Sequence, residues 1–156
     1  MQAAPNTVPA HFWLLFPVFF LGLWVLISLL TSSLSGWWGL ASRFSTTEHP
    51  FGDVKTAGPF LYVVYLRFWT HYSNLIRVTA AHDALYLSML VLFRIGHPPL
   101  RIPWNEIRFS TTTYFFRRYM VLTLGTTEQI PLRISQRMAR NLGLAERFST
   151  LSAPIE

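Results

Sequence analysis

The run from Phe12 to Thr31, "FWLLFPVFFLGLWVLISLLT", constrains this chain more than any other feature: it is twenty residues long and carries no charge. A helix rises ~1.5 Å per residue, so about 20 apolar residues cross the ~30 Å hydrocarbon core of a bilayer. A secretory signal would need a basic leading region, a short apolar core and a small-residue cleavage site. No Lys or Arg precedes Phe12, and the apolar run is longer than such a core. The sequence therefore predicts a retained transmembrane helix over residues 12–34, after a tail of residues 1–11. Pro17 falls near its start, where a missing N–H costs little. Trp13, Trp24, Trp37 and Trp38 are the residue type that anchors at membrane interfaces.

Composition agrees with a molecule partly out of water: 51% of residues are hydrophobic and 13% charged, against ~25% charged in an ordinary soluble domain. The bases are 13, the acids 7, and the net charge is +6. None of the bases precedes the span, while Arg43 and Lys55 follow soon after it. The positive-inside rule then puts the N-terminus outside and the remainder in the cytoplasm of a bacterial inner membrane. The chain has no cysteine, which excludes disulfides, thiol catalysis, iron–sulfur clusters and cysteine zinc sites. Two later apolar runs, "FLYVVYLRFW" and "ALYLSMLVLF", are too short for spans and read as buried strands.

Residues 35–59 read as a helix and linker. In "SGWWGLASRFS", Trp37, Trp38, Leu40 and Phe44 lie either along the membrane surface, with Arg43 at the headgroups, or against the chain's own domain. Ser45 to Pro59 is rich in Gly, Pro, Thr and Asp, as turns are. Beyond it, strands are expected near 60–69, 73–80, 84–92, 100–109, 112–118, 119–125 and 129–134. In "YMVLTLG" Met120, Leu122 and Leu124 alternate with Tyr119, Val121 and Thr123, so one face points inward. Ser135 is a candidate N-cap for a helix with Met138, Leu142 and Ala145 about a turn apart. The fold class is α+β: one transmembrane helix, then a small antiparallel β barrel or sandwich of about seven strands over residues 60–146, closed by a C-terminal helix and followed by a tail at 147–156.

The stretch "FRIGHPPLRIPWNEI" looks most like a site, with a histidine, two prolines, a tryptophan and a carboxylate. Pro98 and Pro99 force His97 into a connecting loop. The five histidines are scattered, without a metal-binding spacing. His97 is read as a structural residue bonding backbone carbonyls, Trp104 as a structural residue in mid-strand, and Glu106 as the partner of an arginine or the cap of a turn.

The strand Ala84-Leu85-Tyr86-Leu87, a break, then Ile102-Pro103-Trp104-Asn105-Glu106-Ile107, more strands and a closing helix resemble the bacterial pleckstrin-homology and GRAM-like domains. Ala84 stands where such domains usually carry glycine. The "FRIGHPPLRIPW" run is also similar to bacterial proteins with a helix in front of such a domain. The resemblance spans roughly residues 60–146 and implies a PH-like domain that binds lipid headgroups or proteins, and seldom an enzyme.

The functional expectation is a non-catalytic, membrane-anchored interaction module, an accessory or scaffold subunit of a larger membrane complex, photosynthetic or respiratory. No catalytic residue, cofactor or metal is expected. The expected partners are membrane lipids and integral membrane subunits, and not nucleic acid. The expected contact residues are Trp37, Trp38, Arg43, Arg94, Arg101, Arg117 and Arg118. The alternative is a sensor of anionic lipid headgroups, with Arg94, Arg101, Arg108, Arg117, Arg118 and Arg133 gathered on one face.

Overall fold

The structure, a computed structural model, describes residues 10–57, 63–67, 70–73, 75–114 and 116–151. Helix α1 runs Ala10–Ser35. Its stretch Leu15–Ser35 is long and apolar enough to cross a membrane, and 11% of its apolar window is buried. A core helix of a water-soluble domain would be covered by its own chain; this one is left bare.

Gly36, at φ +80°, breaks α1 from α2 (Trp37–Phe44). A Cβ there would meet Ile130 in addition to the cost of the left-handed backbone. Of the two expectations for α2, the structure takes the second: the helix packs on its own domain. Trp37 and Leu40 are fully buried and Phe44 nearly so, while Trp38 points outward. Burial of three large apolar groups against one of them exposed decides the orientation.

The domain is two antiparallel sheets. The first orders β1 (Lys55–Ala57), β4 (Ile76–Ala80), β5 (Ala84–Met89) and β6 (Leu100–Pro103) as β1-β4-β5-β6. The second orders β2 (Val63–Leu66), β3 (Thr70–Ser73), β7 (Ile107–Tyr114), β8 (Arg117–Leu124) and β9 (Ile130–Ser135) as β3-β2-β9-β8-β7. Alternate residues of both sheets enter one core: Val78, Leu85, Leu87 and Ile102 from the first, Leu66, Leu122, Leu132 and Ile134 from the second. The two sheets stay open, so the architecture is a sandwich and not a closed barrel.

Helices α3 (Gln136–Asn141) and α4 (Leu144–Leu151) close one end, with Met138, Leu142 and Leu144 in the core. Ser135 Oγ accepts from the Met138 amide at 3.2 Å, the expected cap. The expected tail from 147 is helix as far as Leu151, because Gly143, at φ +69°, turns the chain into α4; positions 152–156 lie outside the described residues.

Several strand expectations are corrected. The strand expected at 100–109 is broken by a 3-10 turn at Trp104–Glu106, where the chain leaves one sheet for the other. The strand expected at 84–92 ends at Met89, and a 3-10 turn follows at Val91–Phe93. The boundary expected between 118 and 119 lies earlier, as β7 ends at Tyr114 and β8 begins at Arg117. The strand expected at 73–80 is seen as β4, Ile76–Ala80, while β3, Thr70–Ser73, falls mostly between two expected strands and belongs to the other sheet. The strand expected at 60–69 is seen as β2; positions 60–62 and 68–69 lie outside the described residues.

The expected linker is a strap. Ser45 bridges Leu100 at one edge of the first sheet, and Lys55 pairs with Ala80 at the other. The segment between them must cross the sheet, and since the inner face is core it crosses the outer one.

Candidate functional site: the helix–domain junction and the strap cleft

Ser28, Ser32 and Ser35 repeat at i, i+4 and i+7, a polar stripe along one face of a mostly apolar helix. All three are buried against the domain. The loop after the 3-10 turn lies along this stripe in order. Phe93 meets Trp24 with ring centroids 6.1 Å apart. Ser32 Oγ donates to the Gly96 carbonyl, and a Cβ on Gly96, at φ +78°, would lie 3.1 Å from Leu29 Cδ2. Trp37 Nε1 donates to the Pro98 carbonyl at 3.0 Å. The loop thus descends beside α1 and returns.

His97 is buried in this junction, 2% exposed. Its ring stands edge-on to Trp37 at 5.4 Å, with Nδ1 3.3 Å from the Ile95 carbonyl. Burial pushes its pKa below the ordinary value, against the Ile95 and Phe93 carbonyls that favour the proton. His97 is a loop histidine bonded to backbone, as the sequence predicts.

Glu106 does both things expected of it. Its Oε1 meets Arg43 Nη2 at 3.1 Å, and Oε2 accepts from the Thr126 amide at 2.9 Å and hydroxyl at 2.7 Å. The Thr126 bonds, then Arg43, hold its pKa below the ordinary carboxylate value. Arg43 also reaches Glu128 Oε2 at 3.3 Å. Of the two expectations for the helix that carries Arg43, headgroups or its own domain, these pairs fit the second: the arginine meets two carboxylates of its own domain.

Under the strap, on the outer face of the first sheet, lies a cleft of about 460 Å³. Its floor is set by register: Thr56, Thr79 and Tyr86 face outward in successive strands, with Arg77 opposite Ser88. Thr56 and Thr79 hydroxyls meet at 3.1 Å. Thr46, Thr47 and His49 form the strap wall, and Arg94 closes the end nearest α1. Among the described residues no ion pair engages Arg77 or Arg94. Arg101 sits at the rim, held by Asp83 at 2.8 Å and Tyr86 at 3.2 Å. Burial raises the Asp83 pKa, and the Arg101 hydrogen bond, a backbone hydrogen bond and the nearby positive charge together outweigh it, so the net shift is downward.

A larger cleft, about 680 Å³, opens between the β4–β5 turn and α4. Trp104 forms its back wall, donating Nε1 to the Ala81 and His82 carbonyls, with the Arg147 guanidinium 4.3 Å over its ring. Trp104 is half-buried at the start of a turn, not in mid-strand.

The arginines expected on one face are divided. Arg94 and Arg101 belong to the first sheet's side of the molecule. Arg108 and Arg133 lie on the outer face of the second sheet, where Arg108 opposes Thr123 and Arg133 opposes Val121. Arg118 opposes Thr113 on the other parity, and Arg117 opens β8 beside Tyr114. Arg77, absent from the expected set, is the residue that joins Arg94; its alternation with Val78 in "IRVTA" was the available signal. Among the described residues no group of three or more His, Asp or Glu is placed to hold a metal ion.

Comparison with known proteins finds no matching family, no matching curated sequence and no matching solved structure.

Proposed function

We propose that this protein is a non-catalytic, membrane-anchored interaction module that serves as an accessory or scaffold subunit of a larger membrane complex, with photosynthetic and respiratory assemblies as natural hosts. The observation that carries the reading is the junction. A domain on a free tether needs no contacts to its anchor, whereas here the loop 93–98 is packed and bonded along α1 from Trp24 to Ser32 and on to Trp37 at the start of α2. Rigid coupling is what a scaffold requires, because two weak contacts then act at high effective concentration. The upper part of α1 carries Trp13, Phe16 and Phe20 at i, i+3 and i+7, all exposed, a stripe suited to van der Waals packing against partner helices. In this reading α1 spans a bacterial inner membrane with its N-terminus outside and the β domain, of PH-like kinship, in the cytoplasm.

The test is affinity purification in mild detergent. Other integral membrane chains are expected to co-purify, and a Phe16→Ala/Phe20→Ala variant is expected to lose them while remaining in the membrane. Native protein that purifies alone contradicts the reading.

A second reading, a sensor of anionic headgroups, is favoured by one observation: Arg77 and Arg94 line a hydroxyl-rich cleft at the end of the domain nearest α1. If it holds, the Arg77→Gln/Arg94→Gln variant loses a preference for anionic lipid that the native protein has in reconstituted vesicles.

A further inference from the structure

The segment between β5 and β6 exposes large apolar side chains that a water-facing loop would not retain. Val91 is 77% exposed, Leu92 66% and Ile95 41%. Their position relative to α1 is set by contacts. Phe93 meets Trp24, Gly96 lies against Leu29 and Ser32, and Pro98 is held by Trp37.

Depth follows from arithmetic. Suppose the hydrocarbon begins as early as Ala10, the start of α1. Its ~30 Å then cover about 20 residues at ~1.5 Å each and end near residue 30. Trp24 is then about 9 Å inside that boundary, and any later start places it deeper. A side chain in ring contact with Trp24 is therefore beside lipid.

We infer that the loop Leu90–Ile95 is a second membrane contact, whose apolar tip inserts into the lipid of the leaflet that α1 leaves. The inference rests on the reading of α1 as a span. Three features fit the loop to hydrocarbon. Its exposed apolar surface continues that of α1, where Leu26 and Ile27 are also exposed. Part of its backbone is paired within the turn, with Phe93 N–H to Leu90 O at 2.8 Å, Arg94 N–H to Val91 O at 3.2 Å and His97 N–H to Arg94 O at 2.9 Å, which lowers the cost of taking peptide groups into lipid. Its one charge, Arg94, lines the polar strap cleft, the direction in which an arginine keeps its head wet while its stem covers apolar surface. The occupant is bilayer and not a protein groove, because the exposed tip lies alongside the span itself, at hydrocarbon depth. Its effect is to fix the domain's tilt on the membrane, since one span alone leaves rotation about its own axis free.

The chain has no native cysteine, so single probe sites are available in the full-length protein. Leu92→Cys, Val91→Cys, Leu26→Cys on α1, and His82→Cys at the opposite end of the β4–β5 hairpin are each labelled with an environment-sensitive fluorophore in proteoliposomes. The expected result is blue-shifted emission at Leu92, Val91 and Leu26, quenched by spin-labelled acyl chains and not by aqueous iodide, with the reverse at His82. Lipid quenching at Leu26 with iodide quenching at both loop sites overturns the inference and leaves the span reading standing. Iodide quenching at Leu26 as well overturns both. Loop probes shielded from both quenchers show a protein partner over the tip and also overturn the inference.

Discussion

Trp37 and Pro98 are joined by a 3.0 Å hydrogen bond from the indole Nε1 to the prolyl carbonyl, across 61 residues of sequence. That bond ties the first residue of α2 to the loop that descends along α1. It makes the end of the apolar helix, the core and the loop one structural unit.

Trp37 is fully buried, so Trp37→Ala is expected to cost ~3–5 kcal/mol, as for other large aromatic truncations. Trp37→Phe retains much of the ring but leaves the Pro98 carbonyl unpaired, a penalty of about 1–3 kcal/mol. Thermal unfolding in detergent measures both; equal stability of native and Trp37→Phe protein would mean that the bond contributes nothing.

Gly96 sits at φ +78° with Leu29 and Ser32 against the position of a Cβ. Gly96→Ala is expected to lose about 1–2 kcal/mol from backbone conformation alone, and more from the clash with α1. Limited proteolysis of the 90–99 loop reads the consequence directly. Cleavage there should quicken in Gly96→Ala, and unchanged cleavage would show that the loop does not depend on α1.

The buried His97 imidazole has a lowered pKa. The unfolded chain therefore binds a proton, near its ordinary ~6.5, before the folded chain does. Stability from this group is fully present above that value and is lost as pH falls through it. Glu106, also lowered, adds loss at still lower pH, as its carboxylate is protonated. The expected outcome is a melting temperature that falls below about pH 6.5, with that upper part of the fall reduced in His97→Gln. A native protein whose stability is flat from neutral pH down to the carboxylate range would contradict the burial of a neutral ring.

Trp104 is half-buried, stacked with Phe109 at 6.4 Å and bonded through Nε1 to two carbonyls. Trp104→Ala is expected to cost about 2–3 kcal/mol, below the ~3–5 of a fully buried ring. Urea unfolding of the two proteins would measure it, and no difference would make Trp104 a surface residue only.

Much of the architecture is legible in the sequence because it is local. Met120, Leu122 and Leu124 alternate with Tyr119, Val121 and Thr123, and Ile130, Leu132 and Ile134 alternate with Pro131 and Arg133; both sets are buried as the alternation requires. Ser135 caps α3 for the same reason. What was not legible depends on distant partners. The 3-10 turn at Trp104 is a sheet change, and no local propensity in "IPWNEI" marks it. The strap reads as linker because its role is set by Leu100 and Ala80, which bracket it at two edges. Arg43 suits a headgroup until Glu106 and Glu128 are brought to it. The serine stripe of α1 was visible at its i, i+4, i+7 spacing, but only the docked loop gives it a meaning. Because α2 supplies Trp37, Leu40 and Phe44 to the core, a fragment beginning at Phe51 is expected not to fold, so separating span from domain there tests stability and not binding.

The central claim, that α1 and the β domain move as one body, is tested most directly by distance measurement between spin labels at Ile27→Cys on α1 and Ser110→Cys on β7, both exposed, in proteoliposomes. A single narrow distance distribution is expected, broadening in the Trp37→Ala background. A broad distribution in the otherwise native chain would describe a tethered domain and contradict the account.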